Sequence, residues 1–313
     1  MPRGSCSHDM TAVILKALSY IFLIFMGYFL KKAGKLRLSD KDTLGSILMY
    51  ITLPCAFVAN FRDFRMSSSL ILFFLFGLLL NIALAYFGKL ISARYSGEDR
   101  AEYMIQGSGQ NIGAFTTPFV GSVMDPFGTV VSSIYDIGNS IMAIGMVYPL
   151  AKREVMNENQ SIRTQVVFIF KKLFSSVPFD TYLVMLIISL AGIRLPSEIS
   201  DVAQVLGAPS IIITMIMIGI ALEINVSREN LLHIVRILLL RYVVAIVLIL
   251  VLRRLPFLSE VESKALCYCV CAPPTSISPS YANLCGCDSR VYGAVSSLSI
   301  VISLAMFIIL TAM

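Results

Sequence analysis

The stretch ALCYCVCAPPTSISPSYANLCG, residues 265–286, interrupts a chain that otherwise reads as apolar helices. Apolar residues flank it, yet its centre holds Pro273, Pro274, Thr275, Ser276, Ser278, Pro279 and Ser280. Proline removes a helical N–H donor and clashes with the preceding turn, so a helix breaks here. In water such a break costs little. In hydrocarbon each unpaired backbone N–H or C=O costs several kcal/mol. The medium around this stretch therefore decides the fold.

Composition names the medium. The 313 residues are 57% hydrophobic and 14% charged, with a mean hydropathy of +0.81. Soluble chains carry about a quarter charged residues. These values exclude a soluble globular protein and point to one polytopic membrane domain. Six of the seven cysteines lie inside apolar runs, which excludes a disulfide framework. Cys267, Cys269 and Cys271 alternate, which is not zinc spacing; they read as small packing residues. The net charge of +6 fits basic cytoplasmic loops, and no basic run interleaved with aromatics suggests nucleic acid. Residues 12–30 are apolar, too long for a signal-peptide core, and lead to Lys31-Lys32 without a cleavage site. They read as a first span, preceded by a short tail over residues 1–9.

A span needs about 20 apolar residues. Ten runs qualify: 12–31, 43–61, 69–92, 101–124, 129–151, 178–193, 202–224, 232–252, 262–286 and 291–312. The odd-numbered loops carry fourteen Lys and Arg residues against seven for the even loops and N-terminus, which places the odd loops in the cytoplasm and both termini outside. The expected location is a plasma membrane, or the inner membrane of a bacterium.

The two halves repeat. AGKLRLSD (33–40) follows the first run and AGIRLPSE (191–198) follows the sixth. Each precedes a proline-bearing span, with TLPCAF ending at Phe57 and GAPSII starting at Gly207. NIGAFTTPFVGS (111–122) in the fourth run matches APPTSISPSYAN (272–283) in the ninth, and a Ser-Ser pair follows each. The organisation expected is a first five-span repeat over 1–151, a cytoplasmic linker over 152–177 and a second repeat over 178–313. Five is odd, so the second copy enters the membrane inverted, as in many secondary transporters.

The fourth run thus breaks where the ninth does. Irregular backbone survives at membrane depth only when buried in protein or lining a watery cavity. Thr117-Pro118 and Ser278-Pro279 read as hydroxyl caps followed by proline in a first turn. Each would start a half-helix whose N-terminus carries about half a positive charge. Two of them facing each other favour an anion. The expected ligand is a small organic anion, held by Asn111, Gly113, Thr117, Pro118, Pro274, Thr275, Ser276, Ser278 and Pro279.

At these residues the sequence resembles the auxin efflux carrier family, which includes the plant PIN carriers and bacterial malate or malonate permeases. The resemblance rests on LPCAF (53–57), on Asn111-x-Gly113 with Pro118, and on the proline-rich ninth run leading into YGAVSSLSIVIS (292–303). It implies an all-α membrane protein of ten helices in a five-plus-five inverted repeat, with crossing broken fourth and ninth helices as in bile-acid/sodium symporters. It also implies a scaffold over about 12–61 and 178–224 beside a transport part over about 69–151 and 232–312, and commonly a homodimer. Where plant carriers show an Asn-Pro-Asn-Thr type motif, this chain has NIGAF and PPTSI. The substrate stays open between an auxin-like acid and a smaller mono- or dicarboxylate.

Asp136, inside the fifth run, is costly in lipid and is a candidate proton or cation ligand, with Asn139 one turn on. It reads equally as an acceptor for the broken fourth backbone. H+ or Na+ is the coupling ion to consider; no cofactor is implied. The equivalent place in the second half is near the apolar Ile300. Asn111, Gln106 and Gln110 line one approach to the first crossover, Asn283 is a second-half candidate, and Tyr135 and Tyr281 read as cavity closers or, as is more usual for membrane tyrosines, as packing or interface residues. Arg241 reads as snorkelling, pairing with Asp136 or attracting the anion. Asn81 reads as packing glue. Lys16, Glu223, His233 and Arg236 lie near span ends and carry no role. No Gly-x-Ser-x-Gly, His-Glu-x-x-His or paired intramembrane aspartate points to an enzyme. A sensor or an anion channel on the same fold remains as an alternative.

Overall fold

The computed structural model describes residues 5–60, 70–156, 177–193, 195–222 and 230–313, with positions 167, 170, 171, 174 and 175. Most of the linker at 152–177 lies outside these residues, as do the tail up to Gly4, Arg62, Arg65, Arg163, Lys172, Arg194, Glu223 and Arg228. The side chain of Lys16 is likewise outside them.

The described chain is helical. Helix α1 (Ser5–Lys32) is followed by α2 (Asp40–Ile47), which runs through a π-helical turn (Leu48–Thr52) into α3 (Leu53–Asn60). Then come α4 (Leu70–Ile91) and α5 (Gly97–Gly107). After a break, a π-turn (Ile112–Thr116) leads directly into α6 (Thr117–Val123). Helix α7 (Pro126–Ser140) continues through a third π-turn (Ile141–Met146) into α8 (Val147–Met156). The second half comprises α9 (Val177–Leu190), α10 (Ser197–Gly207), α11 (Ser210–Ala221), α12 (Leu231–Leu252), α13 (Glu260–Val270), α14 (Ser278–Leu284) and α15 (Ser289–Ala312).

Each π-turn ends two or three residues before a proline: Pro54, Pro118 and Pro149. A proline ring collides with the carbonyl four residues back. The wider turn opens the helix just before the ring, so the rod continues where an ordinary α-helix would kink.

Among the described residues six helices are long and apolar enough to cross a membrane: Asp40–Ala59, Leu70–Ile91, Phe127–Met156, Ser197–Ala221, Leu231–Leu252 and Ser289–Ala312. The composition had suggested ten runs. The ninth falls into shorter pieces around Pro273 and Pro274, the fourth divides at residues 108–111, ahead of Pro118, and the sixth is only the 14-residue α9.

Small residues set the helix contacts. Helix α1 packs along α11, and α4 along α7. A Cβ on Gly219 would strike the Ile24 carbonyl, and one on Gly138 would strike the Phe74 carbonyl and come within 2.8 Å of Leu78 N. Helices in lipid gain little from the hydrophobic effect against one another, so close backbone approach supplies the attraction. Helix α3 packs on α9 and α10, while α5 packs on α4 and α8, and α13 on α7 and α12.

The paired AGK and AGI turns have the same geometry. Gly34 and Gly192 sit at φ +70° and +68°. Ala33, Gly34 and Lys35 donate to Phe29, Lys31 and Leu30; Ala191, Gly192 and Ile193 donate to Ile187, Ser189 and Ile188. Only glycine takes this left-handed helix stop at little cost.

Gly138→Leu should force α4 and α7 apart. Thermal unfolding in detergent should show a loss of about 1–3 kcal/mol, the usual cost of overpacking; an unchanged melting temperature would contradict the contact.

Candidate functional site

A cavity of about 770 Å³ lies among α2, its π-turn, α11 and α15. Ser46, Met49 and Tyr50 form one wall, Met217 and Ile218 another, and Ser296, Ser297 and Ile300 a third. Its rim carries Lys41, Asp42 and Arg290. Asp288 binds Arg290 at 2.9 Å, and this contact, aided by Asn230, holds its carboxyl below the usual range.

The inner end of the cavity is where the two breaks meet. Gln110 and Pro274 form an isolated antiparallel bridge. Asn111 N donates to Pro273 O at 2.9 Å, and Thr275 N donates to Gly109 O at 3.2 Å. Each break thus satisfies polar backbone of the other, which is what membrane depth demands. Gly109 is at φ +57°, and a Cβ there would press on Ala143 and Thr275 at 3.2 and 3.3 Å. Above this ladder Asn111 Nδ2 donates to Ser276 Oγ at 2.9 Å, joining the two breaks through side chains facing the cavity.

A buried polar layer holds the ladder from behind. Asn139 Oδ1 accepts from Gln110 N at 2.9 Å, and Asn139 Nδ2 donates to Gln110 O at 2.8 Å. One amide side chain therefore serves both backbone groups of Gln110, whose carbonyl also accepts from Ile112 N at 3.0 Å. Asn139 Nδ2 also reaches Asp136 Oδ1 at 2.8 Å. Asp136 further accepts from Gly113 N–H and Ser140. The Gln110 side chain takes the Tyr135 hydroxyl and, at 3.3 Å, Asn81 Nδ2.

Arg241 is 5% exposed and binds main-chain carbonyls. Nη1 donates to Gln106 O at 2.9 Å and Ser108 O at 2.8 Å, and Nη2 donates to Ala272 O at 2.9 Å. Both nitrogens approach Gly109 O at 3.4 Å.

Of the residues singled out from sequence, Asn111, Pro274, Thr275, Ser276 and Pro279 line the cavity. Gly113, Asp136 and Asn139 stand behind it, tied together as described. Thr117, Pro118 and Ser278 are not among its lining residues. Thr117 is 3.3 Å from Ser132 through its hydroxyl, and Ser278 is buried.

The capping expectation needs correcting. Thr117 and Ser278 are helical residues, not caps, and neither half-helix has a side-chain cap on the residue before it. The first half-helix begins at Ile112, because the π-turn carries the helix across the region before Pro118. Asp136 takes the Gly113 N–H there, acting as acceptor from another helix. The second begins at Ser278 itself. Arg241 neither snorkels nor pairs with Asp136, since it is buried and both Nη nitrogens go to carbonyls. Tyr135 and Tyr281 do not close the cavity: Tyr281 donates to Ile144 O at 2.6 Å, and Tyr50 and Tyr292 line the walls instead. Asn283 is exposed.

A family model described as membrane transport protein matches residues 12–311. The chain belongs to this family of auxin efflux carrier-type membrane transport proteins. The match takes in both breaks, the α7 polar layer and Arg241. The resemblance read from LPCAF, Asn111-x-Gly113 and the ninth run is therefore a family membership. No curated protein matches the chain.

Sequence reading missed the roles of Gln110 and Arg241. Their signals were a polar and a cationic residue at depth, but their partners lie 25 to 160 residues away. In this transport protein Asn139→Ala should leave the buried N–H of Gln110 unpaired, while its C=O keeps the Ile112 N–H at 3.0 Å. A buried donor without a partner costs about 1–3 kcal/mol. The melting temperature in detergent should fall sharply; a wild-type melting curve would rule out the clip.

Proposed function

We propose that this membrane transport protein is a secondary carrier for a small organic anion, bound where the two breaks meet. One observation carries the reading: two interrupted helical segments, hydrogen-bonded to each other, form the polar end of an otherwise largely apolar cavity. Broken segments in corresponding places of two halves are the sequence pointer to a carrier's substrate site. The matching Gly34 and Gly192 turns support a repeated half, and five spans per half would bring the second copy into the membrane inverted.

Asn111 Nδ2, the Thr275 and Ser276 hydroxyls and the first turn after Asn111 offer donors to a carboxylate. Ala114 and Phe115 of that turn face the cavity, where the helix dipole favours negative charge. Apolar walls from Met49, Met217 and Ile218 suit an organic body. Lys41 at the rim attracts the anion before entry. The cavity is lined at its rim by residues of the odd-numbered loops, so on the positive-inside reading it opens to the cytoplasm and both termini lie outside, in the plasma membrane. Alternating access follows when the crossing pair moves, elevator-like, with α4–α8 and α12–α15 against a scaffold of α1–α3 and α9–α11. The family's habit points to a homodimer. Asp136 and Asn139, joined to the first break, are the coupling site for a proton.

The test is a thermal-shift screen of mono- and dicarboxylates, then saturable counterflow in proteoliposomes. Asn111→Ala should weaken binding about 10- to 100-fold, as expected for losing a hydrogen bond to a charged group worth about 1.5–3 kcal/mol. Asp136→Asn should flatten the pH profile of flux. Unchanged affinity in the first variant would remove Asn111 from the site, an unchanged pH profile would remove the coupling role, and flux without saturation would indicate a channel.

A further inference from the structure

We propose that Arg241 is a built-in cation: its guanidinium fills the main-chain carbonyl site in which a carrier with two broken helices would otherwise hold a sodium ion. The consequence for transport rests on the carrier reading above; the occupancy of the site does not.

In such carriers, unwound backbone carbonyls and half-helix C-terminal ends coordinate the coupling cation. Those groups are identifiable here. Gln106 is in the last turn of α5, Ser108 and Gly109 follow its end, and Ala272 follows the end of α13, so the oxygens come from both breaks. The C-terminal dipoles of both helices point negative ends at this spot. It is the kind of place that draws a small monovalent cation.

The guanidinium already sits in it. Contacts at 2.8 to 2.9 Å reach Gln106, Ser108 and Ala272, and Gly109 is shared between two nitrogens at 3.4 Å. A planar fork with five donors can serve several carbonyls at once. Burying such a charge is expensive unless hydrogen bonds replace its water; here the main chain supplies them to Nη1 and Nη2, while Nε is buried without a partner. A sodium ion at the same oxygens would face an adjacent fixed positive charge. The site therefore does not fit Na+, and coupling falls to a proton or to the membrane potential. Since Arg241 lies on α12, the clamp also ties both breaks to that helix.

The experiment uses the whole purified chain in detergent. Wild-type melting should be identical in sodium chloride and choline chloride, and proteoliposome flux should be the same under either cation. Arg241→Ala should melt well below wild type, and millimolar methylguanidinium should raise its melting temperature while leaving wild type unmoved. Sodium that stabilises wild type would overturn the proposal, as would Arg241→Ala melting like wild type or showing no response to methylguanidinium. If Arg241→Ala does not fold, Arg241→Lys serves. Its single nitrogen cannot span the carbonyls, so it should melt at an intermediate temperature; a wild-type melting temperature would contradict the clamp. Failure to find any transported anion would sink the carrier reading alone, because the melting comparisons need no substrate.

Discussion

A backbone amide or carbonyl left without a partner inside a membrane costs several kcal/mol, and the centre of this protein is built around that cost. Two segments give up helical hydrogen bonding at depth. Everything packed around them restores it. The breaks pair with each other through Asn111–Pro273 and Thr275–Gly109. Asn139 clips Gln110, Asp136 takes the Gly113 amide, and Arg241 takes carbonyls from both sides. Asp136 and Asn139 of α7 and Arg241 of α12 are thus partners of this broken backbone.

This arrangement makes the region both stiff and receptive. Its back is saturated by buried side chains, so the ladder has a fixed shape. Its front, with Asn111, Thr275 and Ser276, borders open space between apolar walls. The two charges divide the work by helix polarity. The guanidinium meets carbonyls at helix ends, where the dipole favours it; in the proposed carrier a carboxylate would meet amides at the start of a half-helix.

Much of this was legible in the residues themselves. The prolines at 273 and 274 located the second break, because proline acts locally on its own helix, whereas the first break lies at residues 108–111, ahead of Pro118. Asn111 and Ser276 were readable as polar residues within them. The family membership was readable from short motifs. The exact start of the first half-helix was not, because a π-turn shifts hydrogen bonding by one residue without a distinctive sequence signature. The Thr117 cap failed for that reason. Arg241 and Gln110 were visible as misplaced polar groups, but their partners were not. Those contacts join residues far apart in the chain, and they follow from how the helices assemble.

The most direct test of the meeting of the breaks as a substrate site is chemical protection. A single cysteine at position 276, in a chain whose native cysteines are replaced, would be alkylated by a membrane-impermeant thiol reagent in sealed vesicles. The account predicts labelling from the side of the odd-numbered loops and slower labelling when a transported carboxylate is present. A cysteine that no reagent reaches from that side, or one whose labelling rate ignores the carboxylate, would contradict it.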